Sequence, residues 1–233
     1  MDGSMFREIY PSLSKTARVI MYDIRGFGYA QDAPLVQSIA QLADDLGTLL
    51  DALSIEVADV FGTSYGGALA QQFAVQYPKR VRSIAVLASI AQGLPIMLDR
   101  ATNAEKYGLE SMMPTTLMRW LRPENIASNT WAVRYARTCV RRARVEQWAA
   151  AWKAMAAFEV AERISGIEVP VLAVGGKQDV SMPLEMVSQV AEGSRRGKYI
   201  EIDPGTHMMV MEQPERLVEI LQEFRRGVDD GQD

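Results

Sequence analysis

The sequence predicts an α/β fold, a mostly parallel sheet with helices on both faces and a helical cap inserted into it. Three observations predict it. Short β-branched runs alternate with helix-patterned stretches, the rhythm of parallel strands joined by crossover helices. That rhythm breaks over residues 91–163, which hold no strand candidate. Beyond them the alternation resumes. The expected core is therefore 1–90 together with 164–233, and the expected cap is 91–163.

The elements follow in chain order. "ARVIMYD" (17–23) reads as a buried strand, and "DIRGFG" as a glycine-punctuated loop. Leu35, Ile39, Leu42, Leu46, Leu49 and Leu53 recur at helical spacing and form one apolar stripe. "VADVFG" (57–62) is the next strand. A helix follows from Ser64 to about Tyr77 and stops at Pro78. "VRSIAVLAS" (81–89) is another strand. All four tryptophans, at 120, 131, 148 and 152, fall in the expected cap. "VPVLAVGG" (169–176) restarts the strands, with Pro170 near the start, where its missing donor is tolerated. A helix over 183–191, a strand "KYIEID" (198–203) and a helix over 214–226 complete the series. The tail "DDGQD" (229–233) reads as disordered.

Composition narrows the function. The chain has 233 residues, 48% hydrophobic, enough for a sizeable core. A net charge of −4 argues against nucleic-acid binding. No apolar run reaches membrane-spanning length and no signal-like apolar segment opens the chain, so a soluble, cytoplasmic protein is expected. Cys139 is the one cysteine and His207 the one histidine, which excludes an intrachain disulfide and disfavours a zinc site of the usual ligands.

The chemistry centres on "VFGTSYGGALAQ" (61–72). Gly62-Thr63-Ser64-Tyr65-Gly66 has the form G-x-S-x-G, with a strand before it and a helix after it, the context of a nucleophile elbow. A serine on so sharp a turn takes a strained backbone, and the residues two before and two after it are expected to crowd, so both are small. Gly67 lets the helix approach the sheet. A serine hydroxyl needs a base, and His207, in the loop after the last strand, is the one histidine available. The base needs an orienting acid. Asp179 ends the preceding strand's loop and is the first choice, with Asp203 and Asp99 as weaker alternatives.

Taken together, "YDIRGFG", "GTSYGG", "GGKQDVSMP" and "GTHMMVMEQPERL" resemble the α/β-hydrolase superfamily in order and spacing over essentially the whole chain. Within it, "LADDLGTLLDALSIEVADVFGTSYGG", "LMRWLRP" and "AWKAMAAFEVAERISGIEVPVL" are most similar to 3-oxoadipate enol-lactone hydrolases. The resemblance implies Ser64, Asp179 and His207 as a triad and the Tyr65 N–H as an oxyanion donor. It implies no metal or organic cofactor, and a small-molecule ester or lactone as partner. Carbon–carbon bond hydrolysis, perhydrolysis and a catalytically impaired hydrolase-like protein are the alternatives. Monomer and homodimer both stay open.

One departure stands out. Family members usually begin with three further strands and a His-Gly loop that gives a second oxyanion donor. Here "MDGSMFREIYPSL" matches the tail of that loop and the first helix, so an N-terminally shortened fold is expected. The third of those strands normally lies between 17–23 and 57–62. Either these two pair directly, or the chain is a truncated version of a longer protein.

The remaining candidates read more plainly. Trp120 and Met208 are candidate substrate contacts, as are Met112, Met113, Met118 and Met209, with core packing the alternative. Arg134, Arg137, Arg141 and Arg144 read as a solvated cap face rather than a carboxylate-binding one. Asp23, Arg25, Gly26 and Gly28 read as turn scaffold, and Cys139 as filler.

Overall fold

The computed structural model describes residues 1–231. Four parallel strands form one sheet in chain order: β1 (Ala58–Thr63), β2 (Val81–Leu87), β3 (Val171–Gly176) and β4 (Gly197–Ile202). Each observed strand lies within two residues of the run that predicts it. Pro170 stands one residue before β3, and its carbonyl accepts the Ile84 N–H at 3.0 Å.

Alternation along the strands divides the interior in two. Ile84 and Val86 of β2 and Val171 and Ala173 of β3 face a core shared with α2 (Ile39–Ala52), α3 (Tyr65–Gln76) and α8 (Leu184–Glu192). Ala85, Leu87, Leu172 and Val174 face the other core, built on α10 (Pro214–Asp229) and Ile9, beside the short helix α1 (Tyr10–Leu13). Both faces of the central strands are therefore apolar, which explains their unbroken hydrophobic runs. Helix α2 begins at Ile39, capped by the Ser38 side chain, so Leu35 lies outside it and is exposed. A short helix α9 (Met209–Glu212) precedes α10.

Between β2 and β3 lie four helices: α4 (Ile96–Trp120), α5 (Pro123–Ala127), α6 (Trp131–Arg142) and α7 (Val145–Ala156). The one strand-like contact among the described residues there is an isolated bridge between Gln92 and Glu159. Helix α4 is two helices broken at Gly108, whose φ of 75° and ψ of 163° no helix accommodates.

One expectation fails. Residues 17–23 form no strand. Their β-branched composition is suited to one, but a strand also needs a neighbour's backbone to pair with. Nor do they pair directly with β1, which is hydrogen-bonded only to β2 among the described residues. A cavity separates the two segments. Of the tail 229–233, Asp229 is the last residue of α10 and Asp230 its C-cap. Gln232 and Asp233 lie outside the described residues.

Candidate active site

β1 ends at Thr63 and α3 begins at Tyr65, so Ser64 alone makes the turn. Its φ of 52° and ψ of −113° are a costly conformation for a residue with a Cβ. Hydrogen bonds hold it there. The Ser64 N–H donates to Leu87 O at 2.8 Å, and Ser64 O accepts from the Gly67 and Ala68 N–H groups at 2.9 and 3.1 Å. The expected crowding of the flanking glycines is one-sided. A Cβ on Gly62 would stand 2.1 Å from Gly66 O, whereas a Cβ on Gly66 would meet nothing within 4 Å. Gly67 is tight for another reason: a Cβ there would come 2.5 Å from the Ser89 Cβ.

His207 lies in the loop between β4 and α9, and Asp179 in the loop between β3 and α8. His207 Nε2 is 2.9 Å from Ser64 Oγ, and its Nδ1 is 2.8 Å from Asp179 Oδ2. Both side chains are all but sealed from solvent, at 2% and 1% exposure. The other Asp179 oxygen accepts the Ser181 and Met182 N–H groups at 2.7 and 3.2 Å, which fixes the carboxylate plane. Asp203 pairs instead with Lys177 at the surface, at 2.7 Å, and Asp99 is exposed. Neither alternative acid is bonded to His207.

Tyr65 opens α3, where the first N–H groups of a helix have no intrahelical partner and the dipole is positive. Its side chain packs edge-on to Phe27, at 6.0 Å between ring centres. Burial pushes its phenol up, so it stays neutral.

A cavity of about 900 Å³ opens at Ser64. Trp120 and Met208 both line it. The Met208 N–H donates to Trp120 O at 3.1 Å, which joins the cap to the His207 loop. The wall also includes Trp148, Ala151, Trp152 and Met155, which sequence reasoning did not single out for this role. Their spacing of three and four residues along α7 marks one helix face and was the available signal. The cavity continues along the unpaired edge of β1, between Val60 and the segment holding Met21 and Tyr22. Met113 and Met209 are core residues and Met118 is exposed; these and Met112 are not in the cavity wall.

Two connections escaped the sequence. Glu212 of α9, with a side chain 1% exposed, accepts the Arg122 N–H at 3.0 Å. It also accepts hydrogen bonds from Asn125 and from the Thr206 hydroxyl, next to His207. Asp23 accepts the Gly3 and Tyr29 N–H groups at 2.7 and 2.8 Å, a turn-holding role like that of Arg25, which forks onto Asp45 at 2.7 and 2.6 Å. Arg134, Arg137, Arg141 and Arg144 bond to exposed neighbours, among them Asn129, Glu110 and Asp32, away from the cavity. Cys139 is half-buried, and burial pushes its thiol up.

A family model described as the alpha/beta hydrolase fold matches residues 1–214. The chain is 27% identical over 237 residues to a 3-oxoadipate enol-lactonase of Acinetobacter baylyi, covering 97% of this chain and 85% of that protein. It is 27% identical over 235 residues to a 2-hydroxymuconate semialdehyde hydrolase of a Pseudomonas species, covering 96% and 82%. The solved enol-lactonase of Burkholderia xenovorans superposes with a TM-score of 0.91 at 26% identity, covering 97% of this chain and 87% of that one.

Proposed function

The chain belongs to the α/β hydrolase fold family, and from that premise we propose that it is a serine hydrolase cleaving a carboxylic ester or lactone through an acyl-serine intermediate. The observation that carries the reading is the continuous relay Ser64–His207–Asp179, at 2.9 and 2.8 Å, on a strained turn at the mouth of a cavity.

The steps follow from the atoms. Ser64 Oγ attacks the substrate carbonyl as its proton passes to His207 Nε2. The C=O electrons move onto oxygen, and the Tyr65 N–H, at the positive end of α3, donates to that oxyanion. One such donor is worth about 2.7–4 kcal/mol in the transition state. The tetrahedral centre collapses, the ester C–O bond breaks, and Nε2–H protonates the departing alkoxide. Water then attacks the acyl-serine, giving its proton to Nε2, and collapse returns that proton to Ser64. Asp179 holds Nδ1–H so that Nε2 faces the serine, and it supports the transient imidazolium. For a lactone, the leaving alkoxide stays tethered to the acyl group, and the product is a single hydroxy acid.

A fluorophosphonate probe and p-nitrophenyl acetate test this directly. The probe should label the peptide that holds Ser64, and Ser64→Ala should abolish both labelling and ester cleavage. Labelling that survives the substitution would assign the nucleophile elsewhere.

A further inference from the structure

Helix α4 ends at Trp120, and the last carbonyl groups of a helix have no intrahelical donor. Two of those carbonyls are used. Arg119 O accepts the Ser181 hydroxyl at 3.3 Å, and Trp120 O accepts the Met208 N–H at 3.1 Å. Ser181 is the residue whose N–H holds Asp179, and Met208 directly follows His207. Past the helix end, the Arg122 N–H and the Asn125 amide both donate to Glu212 Oε1. The other carboxylate oxygen, Oε2, accepts the hydroxyl of Thr206, which directly precedes His207. Residues 119–125 of the cap are thus bonded to Met208, to Thr206 through Glu212, and to the turn that grips Asp179.

The His207 loop depends on this support. Between β4 and α9, the Thr206 and His207 N–H groups donate to no backbone carbonyl among the described residues. The Gln178 N–H bonds to Gly205 O at 2.7 Å, upstream of the imidazole. The hydrogen bonds immediately on either side of His207 are therefore those of the Met208 N–H and the Thr206 hydroxyl, and both lead to the cap. The imidazole has to be placed closely, because Nε2 must meet Ser64 Oγ while Nδ1 meets Asp179 Oδ2. Glu212 is suited to that task. Its side chain is 1% exposed, and the Arg122 Nε stands 3.9 Å from Oε1, so charge as well as hydrogen bonding fixes the carboxylate. A carboxylate held in this way offers the Thr206 hydroxyl one geometry.

We propose that Glu212 is a positioning residue for His207, carrying the placement of the cap junction through the Thr206 hydroxyl to the imidazole. This rests on the serine-hydrolase reading of the same site. Glu212 bonds to none of Ser64, His207 and Asp179, and it acts only through Thr206. Without the Thr206 bond the loop keeps its Met208 anchor and loses the one before the histidine. The ring then no longer aligns with Asp179 and Ser64 together. A displacement of about 1 Å can cost on the order of 10² in rate, and a loop still held at one end should cost less, about tenfold.

The test reads the ring itself. His207 is the one histidine in the chain, so its ring N–H protons need no assignment among histidines in an NMR spectrum. The Nδ1–H proton bonded to Asp179 should lie far downfield in the wild type. Thr206→Val removes the hydroxyl and keeps the branched shape. It should move that proton upfield, speed its exchange with water and lower kcat for p-nitrophenyl acetate about tenfold. Thr206→Ser should restore all three. Glu212→Leu should shift the proton as Thr206→Val does, and the double variant should shift it no further, because both substitutions break one link. Ile39→Val, which removes one buried methyl group from the core beneath α2, controls for lost stability. It should lower the melting temperature and move neither the ring proton nor kcat. Where Thr206→Val fails to fold, Thr206→Ala, which cannot overpack, carries the same expectation. Thr206→Val that behaves like Ile39→Val overturns the proposal. Shifts that add in the double variant overturn it too, as does a ring proton that Thr206→Ser does not restore. Should the ring proton behave as expected while the wild type shows neither labelling of Ser64 nor ester cleavage, the positioning stands and the hydrolase reading falls instead.

Discussion

Replacing Gly62 by alanine would add a methyl group 2.1 Å from the Gly66 carbonyl oxygen, 2.2 Å from its carbon and 2.8 Å from the Gly67 nitrogen. All three are backbone atoms, so no side chain can swing aside. The first turn of α3 must shift by about an ångström to restore ordinary contact. Overpacking of this kind costs about 1–3 kcal/mol. For a chain of this size each kcal/mol lowers the melting temperature by roughly 2–4 °C, so Gly62→Ala should melt roughly 2–12 °C below the wild type. The same shift moves Ser64 Oγ against His207, and a displacement of about 1 Å can cost on the order of 10² in rate. Gly66→Ala is the matched control. Its added methyl meets nothing within 4 Å, and alanine in place of a helical glycine favours the helix by up to about 1 kcal/mol. Thermal melting of the two variants, with p-nitrophenyl acetate turnover of Gly62→Ala beside the wild type, checks the reasoning. Gly62→Ala melting at or above Gly66→Ala would refute it.

Three further outcomes are expected. Asp179→Asn should preserve the fold while lowering kcat at least about 10²-fold, because it unfixes the imidazole and removes the charge opposite it; near-wild-type turnover would assign the acid elsewhere. Glu212→Leu removes both acceptor oxygens from the Arg122 N–H, Asn125 and the Thr206 hydroxyl, and buried donors left without a partner should cost about 1–3 kcal/mol, seen as a lower denaturant midpoint. For Cys139, a raised thiol holds less thiolate at any given pH. Iodoacetamide at mildly alkaline pH should therefore alkylate it much more slowly in the native protein than in denaturant, and equal rates would contradict the burial.

The two central strands were legible because each is buried on a pattern that the sequence states outright. Val81–Leu87 and Val171–Gly176 are apolar without interruption, as strands covered on both faces must be. The elbow was legible because its steric demand falls on particular small residues, Gly62 above all. Residues 17–23 misled because composition registers suitability for a strand and not the presence of a partner. The cap's contribution was hidden for a related reason. Trp148 and Trp152 occupy one face of α7, yet nothing local says which object that face will cover.

What the pattern of strands leaves unexplained is how Ser64, His207 and Asp179 come together. Ser64 follows β1 and His207 follows β4, the two opposite edges of the four-stranded sheet. Strands about 4.8 Å apart put those edges roughly 14 Å from each other, yet Ser64 Oγ and His207 Nε2 are 2.9 Å apart. The loop after β4 must therefore cross the end of β3. It does so on two glycines. A Cβ on Gly176, the last residue of β3, would come 2.6 Å from the Gly205 carbonyl, so neither residue can carry a side chain into the crossing. The Gln178 N–H then locks the crossing by donating to Gly205 O at 2.7 Å. The same contact ties the Asp179 loop to the His207 loop one residue before the acid. "GGKQD" and "PGTH" are thus two halves of one joint, and their glycines let backbone pass over backbone, which carries His207 across to Ser64.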